Sequence, residues 1–529
     1  LFLCGKRRKF ETAHLQVAML LRSMPRGTTA VLIPVLVLSL ITSALVYHAL
    51  NELQLRIESA LSREIATVPE QLPIAQIDAI DNRRVAWIGG HGKDLETGYM
   101  QHIFEAFRNY GYKIVTGCDK VPEHWDVIWL HEYALSKSSG GCHYEAVQNA
   151  HWPQAVNHIP GSGYYSSKVY LATANLSTGV PLAFRLPSQA EEFKAHAAMH
   201  PDLLWVQKDN AHRNIRIKSV DAIDFGKTNS FVQKFVDNPL LIDNRKFDIG
   251  IYTVVTSLNP LRVYVYDEVL IRFCPKDYHP FDVEDVDKYV VGDDYTPIWE
   301  IPSLMKLYNE GRYSMRESIS IHLKKEGKDA GKIWRQLNDV IAEVFQAQQS
   351  KMVESRQWNE ADLKFFELSR FDFVVDDQLN VFLMEANMSP NLSSGHFKPN
   401  QLIYEQVLMS ILSLVGLANP LSVAAVHDFG SRSRSEFPPV SDRDLALSFD
   451  FCSECDSCEK EERCSLCGVC LTADQPLSDA LSELLREHHD RRKMRRLTLD
   501  WTKKQPYSRL DRLQSLWIDK KCEWDQSWC

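Results

Sequence analysis

The segment FELSRFDFVVDDQLNVFLMEANMSPNL, Phe366 to Leu392, constrains this chain more than any other. It reads as the end of a helix, a strand, a turn at Asp376 and Asp377, and a second strand. Asp372 falls on the first strand, Glu385 and Asn387 on the second. Side chains two residues apart on a strand share a face, so Glu385 and Asn387 can hold one cation between them. Asp372 can add a third oxygen from the neighbouring strand. Two carboxylates and an amide oxygen suit Mg²⁺, a hard ion that usually completes its shell with phosphate oxygens. The competing reading is a pair of edge strands with polar outward faces.

Upstream segments favour the cation site. LLWVQKDN ends a strand in Lys208, a flexible point charge suited to phosphate. FVQKFVDNPLLI places Gln233, Lys234, Phe235 and Val236 on a strand that runs into a hinge, where backbone groups can hold adenine. NRKFDIGIYTVV puts Lys246 and Asp248 on one strand face, and YVYDEVLIRF ends a strand in Arg272. Each basic residue alone reads as a solvated surface charge. Four strand-borne segments that all offer polar groups read together as a nucleotide site. NHIPGSGYYSSK, ending in Lys168, fits a phosphate contact or a plain turn.

The order and spacing of NHIPGSG, LPSQAEEF, WVQKDN, FVQKFVDNPLLI, KFDIGIYTVVTSLNPLRVYVYDE, FELSRFDF and FLMEANMSPNL resemble the tubulin–tyrosine ligase-like family over roughly residues 84 to 415. The resemblance implies an ATP-grasp fold and ATP-dependent ligation of an amino acid, glutamate foremost, to a protein carboxylate. It implies a tubulin or other acidic protein acceptor, a free amino acid as co-substrate, and ATP and Mg²⁺ as cofactors. By carry-over, Lys208 resembles the phosphate lysine, and Gln233, Lys234 and Val236 the adenine-holding strand and hinge. Lys246, Asp248 and Arg272 resemble the catalytic and substrate-facing set, and Asp372, Glu385 and Asn387 the magnesium ligands.

Three departures stand out. His212, Arg213 and Asn214 replace the family's Gly-Arg-Gly loop, Gly250 stands where its Lys-Phe-Asp-Leu-Arg motif ends in arginine, and YVVGDDYTPIW, Tyr289 to Trp299, replaces His-Leu-Thr-Asn. The metal end is kept and the substrate end altered. That leaves two alternatives: a nucleotide-binding scaffold without catalysis, and a lumenal ligase with a substrate other than tubulin.

At 529 residues the chain forms more than one domain. The fold class expected is α/β: an N-terminal open α/β domain at 84–202 and an ATP-grasp domain at 203–418. A transmembrane helix is expected ahead of them. The uncharged run 27–50 is long enough to span a bilayer, follows a segment 1–26 rich in basic residues, and precedes a polar stalk, 51–83. The expectation is a single-pass membrane protein of undecided orientation. The Asn175-Leu-Ser sequon matters only if that region is lumenal. A net charge of −9 gives no reason to expect nucleic acid as a partner.

A polar linker, 419–450, precedes six cysteines between Cys452 and Cys470, arranged as two Cys-x-x-Cys-x-x-Cys groups. They read as a structural zinc site or as disulfides, according to compartment. Their neighbours read as too polar to form a core, so cross-linking orders the segment. The tail, 472–529, is basic and reads as an exposed helical face or as a contact for acidic tubulin tails or anionic lipid.

Overall fold

The computed structural model describes residue 52 and residues 83–529, except 91–94, 120, 152, 175, 178, 211–214, 356–363, 419–439 and 501–506. The chain divides into Leu1–Asp81 and Asn82–Cys529, and the elements below belong to the second unit. The expected span at 27–50, the sequon asparagine, the loop at 212–214 and most of the expected linker lie outside the described residues. Among the described residues no helix is long and apolar enough to cross a membrane, so the single-pass expectation finds no support in them.

The chain first builds a parallel layer. Strands β1 (Val85–Gly89), β2 (Lys113–Thr116), β3 (Val127–Leu130) and β4 (Ala155–Val156) pair in the order β4-β3-β1-β2. Helix α1 (Gln101–Asn109) connects β1 to β2 and buries Ile103, Phe104 and Phe107, one face of its 3.6-residue repeat. Gly111 takes the left-handed conformation that ends such a helix (φ 75°).

A second, antiparallel sheet follows, of β5 (Ala183–Leu186), β6 (Trp205–Asp209), β7 (Ile217–Lys218) and β8 (Ser230–Lys234), in the order β5-β8-β6-β7. Helix α2 (Ala190–Met199) packs on it through Phe193, which meets Phe184 and Trp205 edge to face.

The third sheet carries the opening motif. Its strands are β9 (Leu241–Ile242), β10 (Arg245–Leu258), β11 (Leu261–Phe273), β12 (Thr296–Pro297), and, after β13 (Lys364–Phe365) has returned to pair with β4, β14 (Glu367–Val375) and β15 (Val381–Asn387). The order is β12-β11-β10-β14-β15, with β9 on β10. Helix α3 (Ala330–Glu354) buries Ile333, Leu337, Val340, Ile341, Val344 and Phe345 along one stripe. It meets the sheet through Phe345, whose ring lies 5.5 Å from that of Phe371 on β14. Phe371 is one residue from Asp372, so alternation along β14 sends Asp372 to the opposite face.

The C-terminal region is more structured than its composition implies. Strand β16 (Met494–Arg496) adds to the edge of β11. Helices α4 (Gln475–Asp490) and α5 (Arg509–Trp524) enclose a second core, with Leu477, Leu481, Leu484, Leu513 and Trp517 packed against Leu466 and Leu471 of the cysteine segment. The cysteine segment therefore owes its order to apolar burial as well as to cross-links. Arg262 of β11, almost fully buried, ties this region down. It meets Glu483 at 2.7 Å and Glu487 at 2.9 Å.

The six clustered cysteines pair as Cys452–Cys467, Cys455–Cys464 and Cys458–Cys470, which removes the thiolates a zinc site would need. Cys118–Cys142 and Cys522–Cys529 are also bonded, and Cys274 is a buried free thiol.

Candidate active site

The second and third sheets face each other across a cleft of about 230 Å³. Of the ten residues singled out in the sequence, all but Asn387 line it: Lys208, Gln233, Lys234, Val236, Lys246, Asp248, Arg272, Asp372 and Glu385. Asn387 stands beside them and donates from Nδ2 to Glu385 Oε1 at 3.1 Å. Tyr289, Val290, Val291 and Gly292, from the segment that departs from the family pattern, form part of the wall.

Strand geometry explains the convergence. Asp372 and Glu385 are direct cross-strand partners, and a register shift follows between Asp372 and Phe373, which pairs with Leu383. The extra residue, Met384, turns into the cleft beside Glu385. Asp248 lies opposite Arg272 on the β10–β11 ladder. Arg272 holds it in a fork, Nε to Oδ1 at 2.9 Å and Nη2 to Oδ2 at 2.8 Å.

At the other wall Lys208 Nζ donates to Gln233 Oε1 at 3.0 Å. Lys246 Nζ donates to the Tyr289 carbonyl at 2.9 Å and stands 4.8 Å from the centre of the Phe235 ring. Lys168, weighed in the sequence but left out of the expected site, reaches Glu385 Oε2 at 2.8 Å.

The electrostatics follow from burial and crowding. Burial, with Lys168 and Lys246 nearby, lowers the Lys208 ammonium to about 8 although Glu385 opposes the shift. Burial also lowers Lys246 and raises the Asp248 carboxyl, against the pull of Arg272. Burial works against ionised Glu385 too, but Lys168 and the Asn387 amide outweigh it and hold the carboxyl at about 2. A carboxylate held ionised among oxygen donors fits a divalent cation.

Asp372 departs from the expected pattern. Arg370 takes it in a fork, Nε to Oδ1 at 2.6 Å and Nη2 to Oδ2 at 2.8 Å, and Arg272 Nη2 adds a contact to Oδ2 at 3.1 Å. Oδ1 accepts this one bond and keeps a lone pair for a cation. Sequence reasoning missed Arg370. The signal was present: Arg370 and Asp372 are two apart on a strand, hence on one face.

The model of the tubulin-tyrosine ligase family matches residues 146–422. The chain is 53% identical over 453 residues to a protein of Caenorhabditis elegans named probable tubulin polyglutamylase ttll-15, covering 85% of this chain and 87% of that one. The chain belongs to the tubulin-tyrosine ligase family. It is a ligase of mixed α/β, ATP-grasp-like fold. More distant relatives are the mouse tubulin polyglutamylase TTLL6, 26% identical over 68% of the ligase and 46% of the relative, and Caenorhabditis briggsae tubulin polyglutamylase ttll-4, 26% identical over 55% and 51%. The ligase thus spans most of the nematode ttll-15 protein and about half of the other two.

Proposed function

We propose that the ligase joins glutamate to a side-chain carboxylate on the acidic tail of tubulin at the expense of ATP. The observation that carries this reading is the convergence of Lys208, Gln233, Lys246, Asp248, Arg272 and Glu385 on one cleft, in a chain whose relatives are named tubulin polyglutamylases. A carboxylate is a poor electrophile. Transfer of the ATP γ-phosphoryl group to an acceptor oxygen gives an acyl phosphate and ADP. The glutamate amine then attacks the acyl carbon. The C–N bond forms, the C–O bond to phosphate breaks, and the amine gives up a proton as phosphate leaves.

Each side chain has a part. Gln233, Lys234 and Val236 border the adenine pocket, and Lys208 neutralises phosphate. Lys246, Asp248 and Arg272 position the reacting carboxylates. Glu385 and Asn387, with the open Oδ1 of Asp372, hold Mg²⁺, which when bound offsets the negative charge shared by phosphates and acceptor. Purified protein given Mg²⁺, ATP and labelled glutamate should label tubulin, and Glu385→Gln should not. Wild-type protein that labels neither tubulin nor any other acidic acceptor would refute the reading.

The disulfides favour a second reading of the acceptor. Ten cysteines are paired, and such bonds persist in oxidising compartments, which cytosolic tubulin does not share. The same chemistry would then act on a carboxylate-rich protein of such a compartment. Labelling of secretory-pathway proteins in preference to tubulin would select this reading.

A further inference from the structure

Gly250 and Arg370 sit on adjacent strands beside Asp372, which lines the cleft. Gly250 pairs directly with Asp372, and Arg370 lies two residues further along β14, on the same face. A Cβ at position 250 would lie 3.0 Å from Arg370 Cδ, 3.4 Å from its Nε and 3.3 Å from Asp372 Oδ1. A Cβ there would make Arg370 give by a few tenths of an ångström and a longer side chain would displace it, so glycine leaves the arginine its place beside β10. There it shares Asp372 with Arg272, which arrives from β11.

Both guanidiniums spend Nε and Nη2 on aspartates, and among the described residues neither Nη1 has a hydrogen-bond partner. An arginine Nη1 only donates, so each of these free groups suits an anion. Tyr252, which pairs with Arg370 across the ladder, adds a buried hydroxyl without a partner. Next to the cation site there is thus a group of donors whose free edges make no hydrogen bond among the described residues.

We infer that Arg370, laid across Gly250, forms with Arg272 a seat for the carboxylate of the incoming amino acid. This rests on the ligase reading above. It assigns Arg370 as a substrate-positioning residue and gives the loss of an arginine at 250 a compensation: the guanidinium is supplied by the neighbouring strand. One N–H group from each guanidinium can meet one oxygen of the carboxylate, and a lysine ammonium, a compact point charge on a flexible stem, would not hold that arrangement while also keeping the fork on Asp372.

The test is calorimetric titration of glutamate into the full chain saturated with Mg²⁺ and a non-hydrolysable ATP analogue, beside the labelling assay. Wild-type protein should bind glutamate. Arg370→Ala should weaken that binding about tenfold or more while the variant keeps the wild-type circular-dichroism spectrum and still binds the ATP analogue. Arg370→Lys should recover only part of the binding. The exchange Gly250→Arg with Arg370→Gly, which returns a guanidinium to the same space from β10, should recover more than either single change. Arg370→Ala with unchanged glutamate affinity would overturn the seat and leave the ligase reading standing. Binding without incorporation would overturn the ligase reading and leave the seat. A wild-type protein that binds no glutamate overturns the seat.

Discussion

Lys168 and Glu385 meet at 2.8 Å across the cleft, the lysine from the first turn of a short helix, Lys168–Ala172, in a segment that the sequence alone leaves between a turn and a phosphate contact. The ammonium keeps the partly buried carboxyl ionised, its pKa held down at about 2. A carboxylate depressed in this way adds stability above its unfolded value of about 4.3, and the gain disappears as pH falls toward 2.

Replacing Lys168 removes this counter-charge. Lys168→Met should return Glu385 toward the ordinary carboxylate range and move acid unfolding, measured in EDTA, to higher pH. At neutral pH it should weaken Mg²⁺-ATP binding about tenfold, the effect of losing one charge-assisted contact, as read by nucleotide titration. Unchanged acid unfolding would show that Lys168 does not control the carboxyl.

The depressed Lys208 ammonium gives nucleotide binding a pH dependence. Below about 8 the lysine is charged, and above it the unliganded protein holds it neutral. ATP binding then has to draw in a proton, so affinity should fall as pH rises from 7 to 9. Isothermal titration in buffers of different ionisation enthalpy should show proton uptake above pH 8. Lys208→Met should bind more weakly and lose this slope.

Arg262, Glu483 and Glu487 form a buried ionic knot between β11 and the C-terminal helix α4. Removing one member leaves an uncompensated buried charge, so Arg262→Met should cost about 3–5 kcal/mol in denaturant titration. Arg262→Met combined with Glu487→Leu should recover part of the loss. A single variant as stable as wild type would mean that water reaches the remaining carboxylates.

The disulfide pattern predicts a simple labelling result. In native protein without reductant, iodoacetamide should modify none of the cysteines from Cys118 to Cys529. After unfolding without reductant, only Cys274 among these should react, read by peptide mass spectrometry. Each short loop closed in the cysteine segment contributes about 3 kcal/mol by the chain-entropy estimate. Mild reduction should therefore release the C-terminal core before the three sheets unfold.

Much of the site was legible because strand alternation is a local rule. Once VFLMEAN is a strand, Glu385 and Asn387 face one way whatever the rest of the chain does, while Asp372 joins them through the register between the two strands. The lysines and Arg272 were legible for the same reason, each near the end or on one face of a clear strand. The same rule could have found Arg370, but it gives direction only, and nothing local says which carboxylate an arginine will reach.

Tertiary structure decided what depends on distance between separate elements. It brought Lys168 to Glu385, laid Arg370 over Gly250, and closed Tyr289 to Gly292 against the cleft. It also turned a basic tail into a strand and two helices around a second core, because Leu477, Leu481 and Trp517 find apolar partners that composition averages hide. The cysteine pairing belongs with these: spacing alone allows fifteen connectivities for six cysteines. The paired residues, Cα atoms 5.4 to 5.7 Å apart, are selected by how the segment folds on that core. The sequence by itself determined which face of each strand carries charge. Only the packed sheets determined which charges meet, since Coulombic and hydrogen-bond terms fall off within a few ångströms and that proximity is set by the whole fold.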